Sequence, residues 1–267
     1  MTAQPEDRSA RTDDIWRGTD FSGLTVVLGL GAGQLVRILA EQIERNDGTL
    51  LVINDQREEL RQFLQAAERG PWTLIQAQSR HIPVLTETVD LLVVNGVLRQ
   101  IPEPRLPTVF EEFWRVLVPG GQLRISDILE PSEASYNAAW RERNRLIILL
   151  SEALGAGAAT GVNIKRAALA ARSAGFDSLS VTILPGYGLT DAWLEETIEA
   201  VRAMASRVVD SFLRQQILDQ GLSRLVAAYR QGEQRGAERF VLKGVRAGDL
   251  ALTMEASFTE DDLLDSD

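Results

Sequence analysis

Polar and glycine-rich turns in this chain follow short runs of apolar, β-branched residues. That placement gives backbone amides and side chains access to a ligand. Residues 24–28 run into Gly29-Leu30-Gly31-Ala32-Gly33. Glycines at 31 and 33 suit a tight turn whose amides can approach a bound group closely. The run 89–94 ends in Asn95-Gly96, and the run 122–128 carries Asp127 near its end. Arg99 is placed either to hold an anionic substrate or to lie solvated on the surface. Tyr136 and Trp140, one helical turn apart, line a substrate mouth or serve packing. The single histidine, His81, stands in the loop before Pro83 and reads as an exposed loop residue.

The alternation of these segments predicts the elements that must position the turns. Residues 24–28, 49–53, 72–76, 89–94 and 122–128 read as buried strands. Helices are expected at the apolar face of Leu35, Ile38, Leu39 and Ile43, at 56–68, and at 108–117. Strand–helix alternation implies right-handed βαβ units and a parallel sheet covered on both faces. Such sheets bind ligands at the carboxyl ends of their strands, where the strand order reverses. Beyond residue 128, helices are expected at 132–154 and 164–174, and strands at 179–184 and 239–245. The intervening 50 or so residues are too long for a structureless loop. Their apolar spacing predicts two helices broken near Gly221. That segment is a helical layer on the sheet, a lid over substrate, or a dimer interface.

The chain has 267 residues, 45% of them hydrophobic, 25% charged, and a formal net charge of −10. This suits a globular fold with a full core and argues against a broad nucleic-acid-binding surface. Cysteine is absent, which excludes disulfides, zinc–thiolate sites and a cysteine nucleophile. No metal site is expected. No apolar run is long enough to span a bilayer, and the charged N-terminus lacks a signal-peptide core, so a cytoplasmic setting is expected.

The stretch DLLVVNGVLRQIP, followed by VFEEFWRVLVPGGQLRISDI, resembles the second half of the class I S-adenosylmethionine-dependent methyltransferase domain. Three features agree in type, order and spacing: the strand ending in Asn95-Gly96, the amphipathic helix, and the turn at Pro119-Gly120-Gly121 before a β-branched run. Within that superfamily the pattern is most similar to the arsenite and quinone C-methyltransferase branch. The arsenite chemistry depends on cysteine thiolates, which this chain lacks. The resemblance covers about residues 24–184 and 239–245. It implies an α/β, Rossmann-like fold with a mostly parallel seven-stranded sheet and helices on both faces, to which the apolar spacing described above adds a C-terminal helical insertion that the resemblance does not explain. The expected organisation is an N-terminal arm at 1–20, a methyltransferase-like domain at 21–187 and 237–247, the helical insertion at 188–236, and an acidic, disordered tail at 248–267.

The resemblance also implies S-adenosylmethionine as cofactor and a small-molecule acceptor; a homodimer through the 188–236 helices is a separate expectation, from the apolar spacing of that insertion. The cofactor residues it points to are Gly29, Leu30, Gly31, Gly33, Asn54, Asp55, Gln78, Ser79, Asn95 and Gly96. The family carries acids at three of these places, on the first strand's turn, after the second strand and after the third. Here they are Gly29, Asn54 and Gln78, with Asp55 the ribose ligand if the register slips by one, or else the N-cap of the next helix. The frequent His-His pair of the family is Arg99-Gln100. Arg99 and Asp127 are the candidates for chemistry, and together with Tyr136 and Trp140 for substrate contact. Asp127 equally suits a capping carboxylate. The neutral replacements leave open a degenerate domain that serves as a partner or binding module, or that catalyses different chemistry. A nicotinamide dehydrogenase is disfavoured, because the G-x-G-x-x-G spacing fails at Val36.

Overall fold

The computed structural model describes residues 16, 18–31, 33–66, 70–78, 80–155 and 160–248. Most of the expected arm, the acidic tail from residue 249 and the candidate Ser79 lie outside the described residues. Seven strands build one sheet: β1 (Leu24–Leu28), β2 (Thr49–Asn54), β3 (Trp72–Gln76), β4 (Val89–Asn95), β5 (Leu117–Ile128), β6 (Phe176–Leu184) and β7 (Arg239–Arg246). Their order is β3-β2-β1-β4-β5-β7-β6. β1 to β5 are parallel, and β7 runs antiparallel to both β5 and β6. This is the Rossmann-like class I methyltransferase arrangement. The strand order reverses between β1 and β4, so the crevice of the fold opens there.

The eight α-helices among the described residues are α1 (Gln34–Arg45), α2 (Arg57–Ala66), α3 (Leu106–Val116), α4 (Ala138–Ala153), α5 (Ile164–Ser173), α6 (Asp191–Ala205), α7 (Ser211–Gln216) and α8 (Leu222–Tyr229). Alternate residues of the central strands face opposite layers, as the pleat requires. Val27, Val52 and Val93 pack with Val36, Leu39 and Ile43 of α1 and with Leu60 and Phe63 of α2. Val26, Leu28, Leu92 and Val94 pack with Val109, Phe110 and Phe113 of α3 and with Ala167 and Ala171 of α5. Phe110 meets Phe113 and Phe176 edge to face, with centroids 5.6 and 6.4 Å apart. Each such ring contributes roughly 1.5–3 kcal/mol through burial.

Three elements differ from the sequence expectation. The Pro119-Gly120-Gly121 turn does not precede the fifth strand but interrupts it. β5 begins at Leu117, pairs with Val89, and resumes pairing at Gln122 with Leu91. β6 starts at Phe176 rather than 179, because an irregularity between Asp177 and Ser180 hides its polar beginning from a periodicity reading. In the insertion the break falls between α6 and α7, where Asp210 caps α7 by accepting from the Phe212 and Leu213 amides. Gly221 instead closes a π-helical turn, Ile217–Gly221, that leads directly into α8. A Cβ there would lie 2.5 Å from Leu146 Cδ2, so glycine lets this segment approach α4 closely.

The insertion builds its own core with α4. Leu146 and Leu150 of α4 pack with Val201, Ala205, Val208, Ile217, Leu222 and Leu225. Above this core a run of stacked rings links Trp140 to Trp193 and Trp193 to Tyr229, with centroids 6.0 and 6.3 Å apart. The insertion therefore packs on α4, which carries it beside the carboxyl end of the sheet.

Candidate functional site

The carboxyl ends of β1, β2 and β4 open onto a cleft of about 400 Å3. The turn after β1 supplies Gly29, Leu30 and Gly31; the end of β2 supplies Asn54 and Asp55; the exit from β4 supplies Asn95, Gly96 and Arg99. Of the sequence candidates, these eight line one cavity. Gly33 stands behind them at the start of α1, its amide donating to the Leu30 carbonyl over 2.9 Å.

The glycine turn is fixed by a close approach of two strand ends. Gly29 has φ +85° and donates its amide to the Ile53 carbonyl over 3.0 Å. A Cβ at this position would sit 2.3 Å from the Asn95 carbonyl oxygen and 2.7 Å from Val97 Cγ2. Gly31 has φ +52°, and a Cβ there would sit 2.9 Å from Asn95 Nδ2. Side chains are excluded at both places by backbone conformation and by space. The Asn95 carboxamide thus lies against the turn, and the bare backbone faces the cleft.

At the end of β2, Asn54 is 8% exposed and its Nδ2 donates to Glu59 Oε2 over 2.7 Å. Glu59 lies in α2 and also lines the cleft. Asp55 lines the same wall, with its carbonyl accepting from Gln76 Nε2 over 3.4 Å. Two carboxylates, Asp55 and Glu59, therefore reach the cavity beside the neutral Asn54. The sequence reading missed Glu59, because its place in the cleft depends on how α2 packs against β2. Gln78 faces an adjoining groove of about 570 Å3 that shares Asp55, Gln100 and Ile101 with the cleft. Its Oε1 accepts from Arg80 Nε over 2.7 Å.

Asp127 is placed differently from Arg99. Its side chain is fully buried, Oδ2 accepts the Arg99 amide over 3.1 Å, and Oδ1 accepts the Ile128 amide over 2.8 Å. Burial pushes this carboxyl above its ordinary range, against the opposing amides of Ile128 and Arg99 and the Arg99 charge. The Arg99 guanidinium, with Nε 3.7 Å from Oδ1, extends to the cleft. Asp127 thus anchors the short 3-10 turn Leu98–Gln100, and is not among the residues lining the cavity.

Tyr136 and Trp140 do not line this cavity either. Tyr136 is 40% exposed, and its carbonyl accepts the Arg235 amide over 2.7 Å. Trp140 is buried in the ring stack, with its Nε1 unpartnered. The Arg143 guanidinium lies 4.9 Å from the centroid of a Trp140 ring and donates to Asn144 Oδ1 over 3.1 Å. Burial, then the nearby Arg99 charge, pushes Arg143 below the usual arginine value, while Tyr187 acts in the other direction. Arg143 was missed from sequence, although it lies on the Trp140 face of α4 at i+3.

Residues 26–121 match the family model described as a methyltransferase domain. The chain is 24% identical over 160 residues to the demethylmenaquinone methyltransferase of Lactobacillus johnsonii, covering 55% of this chain and 64% of that protein. It thus spans less than two thirds of that relative's length. Its fold is similar to a cyclopropane-fatty-acyl-phospholipid synthase-like protein from Lactobacillus casei, with TM-score 0.65 and 15% identity over 88% of each chain. It is also similar to phosphoethanolamine N-methyltransferase 2 of Haemonchus contortus in complex with S-adenosyl-L-methionine. There the TM-score is 0.53 and the identity 12%, covering 91% of this chain and 53% of that one.

Proposed function

We infer that this chain, which belongs to the class I S-adenosylmethionine-dependent methyltransferases, uses S-adenosylmethionine in the cleft of β1, β2 and β4 to methylate a small organic acceptor. The observation that carries the reading is the Asn54–Glu59 pair at the end of β2, beside Asp55. Vicinal ribose hydroxyls are two neighbouring donors, and carboxylates are acceptor-only groups that satisfy them. The neutral residue at 54 does not leave this wall uncharged, because Glu59 brings an acid to it from α2. The reading of a degenerate domain rested on the neutral residues at 29, 54 and 78 and on the missing base, and Glu59 answers it at position 54.

The residues fit the cofactor on a second ground. Gly29 and Gly31 keep a cradle open that a Cβ would fill. A cavity of about 400 Å3 lies within the range of small-molecule sites. When bound, S-adenosylmethionine supplies an electrophilic methyl group on a sulfonium. The protein's part is to orient the acceptor and exclude water, since in-line displacement gains most from positioning. In this proposal Asp55 and Glu59 hold the ribose, the Gly29–Gly31 backbone and Asn95 border the remainder, and Gln78 serves the adenine end through the adjoining groove. Asp127 acts indirectly by fixing the turn that carries Arg99. A cytoplasmic setting belongs to the same proposal. It is supported by the absence, among the described residues, of a helix long and apolar enough to cross a membrane.

Calorimetric titration with S-adenosylmethionine and S-adenosylhomocysteine tests this reading. Micromolar binding of both is expected. No heat at millimolar nucleoside would refute it.

A further inference from the structure

We propose that Arg99 and Arg143 together form a recognition site for an anionic group, a carboxylate or a phosphate, on the methyl acceptor. This rests on the reading that the acceptor meets the cofactor in the cleft lined by Arg99. The two arginines stand on different parts of the fold, near enough for the Arg99 charge to act on Arg143. Arg99 comes from the 3-10 turn after β4, pinned through its backbone amide to buried Asp127. Arg143 comes from α4, laid over Trp140. Asn144, 4% exposed, accepts from Arg143 and donates through Nδ2 to the Thr160 carbonyl over 3.2 Å. Thr160 borders the same recess as Leu98 and Arg99.

The charge balance at this place is one-sided. Among the described residues no carboxylate pairs with Arg143. Arg99 has Asp127 at 3.7 Å, but both oxygens of that carboxyl already accept backbone amides. Arg143 is partly shielded from water, and its polar partner is the neutral Asn144. A shielded guanidinium beside a second cation is costly unless an anion completes it. The ring of Trp140 offsets only part of that cost. The planar forks of two arginines match the two or three oxygens of a carboxylate or phosphate. In a chain of net charge −10, this local excess of positive charge runs against the global sign.

Calorimetric titration of the protein saturated with S-adenosylhomocysteine, at fixed ionic strength, uses sodium benzoate, phenyl phosphate and benzamide as probes. Benzoate or phenyl phosphate is expected to bind and benzamide to give no heat; the tighter of the two anions identifies the group. Arg143→Gln is expected to lower anion affinity roughly tenfold or more with the S-adenosylhomocysteine affinity and melting temperature retained. Arg143→Lys should keep part of the anion affinity. Equal binding of benzoate and benzamide, no binding of either anion, or anion affinity unmoved by Arg143→Gln would overturn the site. Repeating the titration without nucleoside separates the two readings. A protein that ignores S-adenosylhomocysteine yet still prefers anions refutes the methyltransferase reading and leaves the arginine pair standing.

Discussion

Asn54 Nδ2 donates to Glu59 Oε2 over 2.7 Å, and both residues face the cleft at the end of β2. The pair joins a strand end to the following helix. Asn54 is nearly buried and fixed by β2 pairing with β3 at Gln76. Glu59 is held by a residue that cannot itself carry charge. One oxygen of the carboxylate is used by Asn54, and the other remains for a donor in the cavity.

Glu59→Gln is therefore expected to weaken S-adenosylhomocysteine binding by roughly 10- to 100-fold, the range for a hydrogen bond to a charged group. The melting temperature should stay near wild type, because Glu59 is exposed on α2. Asn54→Ala should weaken binding less, since it frees the carboxylate without removing it. Calorimetry and a thermal melt on both variants check this. Unchanged affinity in Glu59→Gln would remove Glu59 from the site.

Restoring the family's acid on the first turn should harm the protein. At Gly29 the backbone has φ +85°, and a Cβ would overlap the Asn95 carbonyl oxygen at 2.3 Å. Gly29→Asp is expected to cost at least about 1–3 kcal/mol from conformation alone, with further loss from displacing β4. Gly29→Ala should cost a similar amount, which separates shape from charge. Chemical denaturation of the two variants gives the comparison. A Gly29→Asp protein that is stable and binds nucleoside more tightly would contradict the geometry.

The core of the fold was legible because β1, β2 and β4 are buried on both faces and so read as uninterrupted apolar runs such as LTVVL. The glycine turn and Asn95-Gly96 were legible for the same reason, since they end those runs. Glu59 was not, because its membership depends on how α2 leans on β2, and no spacing within the sequence encodes that. The true break in the insertion was hidden by Val208, which is 2% exposed and continues the apolar periodicity through a non-helical connection. Gly221 drew attention as a breaker, yet its role is contact with Leu146. The inward orientation of Asp127 follows from the pairing of β5 with β7, 113 residues away at Phe240 ↔ Asp127 in number but adjacent in the sheet.

Asp127 and Glu112 should respond to pH in opposite directions. Burial raises the Asp127 carboxyl above its ordinary 3.8. The folded state then binds the proton more tightly than the unfolded chain, so this group's contribution to stability falls as pH rises through the window above 3.8. Asp127→Asn removes that titration and leaves one of two backbone amides without its acceptor, a cost of about 1–3 kcal/mol. Relative to this variant, wild type is expected to lose stability as pH climbs from acid towards neutral, as followed by urea denaturation. The variant should also bind S-adenosylhomocysteine less well, because the turn carrying Arg99 loosens. A wild-type advantage that grows with pH would reverse the assigned direction.

Glu112 ties α3 to the loop before β4. Its Oε1 accepts the Ile82 amide over 2.7 Å, and its two oxygens accept from Arg115 Nη2 and Nε over 2.8 and 2.7 Å. Arg115 in turn donates to the Ile82 and Val84 carbonyls and to Thr86 Oγ1. Burial acts to raise the Glu112 carboxyl, but the Arg115 hydrogen bonds, the Ile82 amide, and the charges of Arg115 and His81 together hold it below its ordinary 4.5. A depressed carboxyl stabilises the fold above the unfolded value and loses that contribution as pH falls through the folded one. Glu112→Gln is expected to cost about 1–3 kcal/mol at neutral pH, because Arg115 keeps its carbonyl partners but loses its counter-charge. Below 4.5 the wild-type and variant stabilities should converge, since protonation removes from wild type what the substitution removed from the variant. Urea denaturation from neutral pH down to about pH 3 measures the gap. Parallel curves over that range would show that this carboxylate is not what fixes the loop.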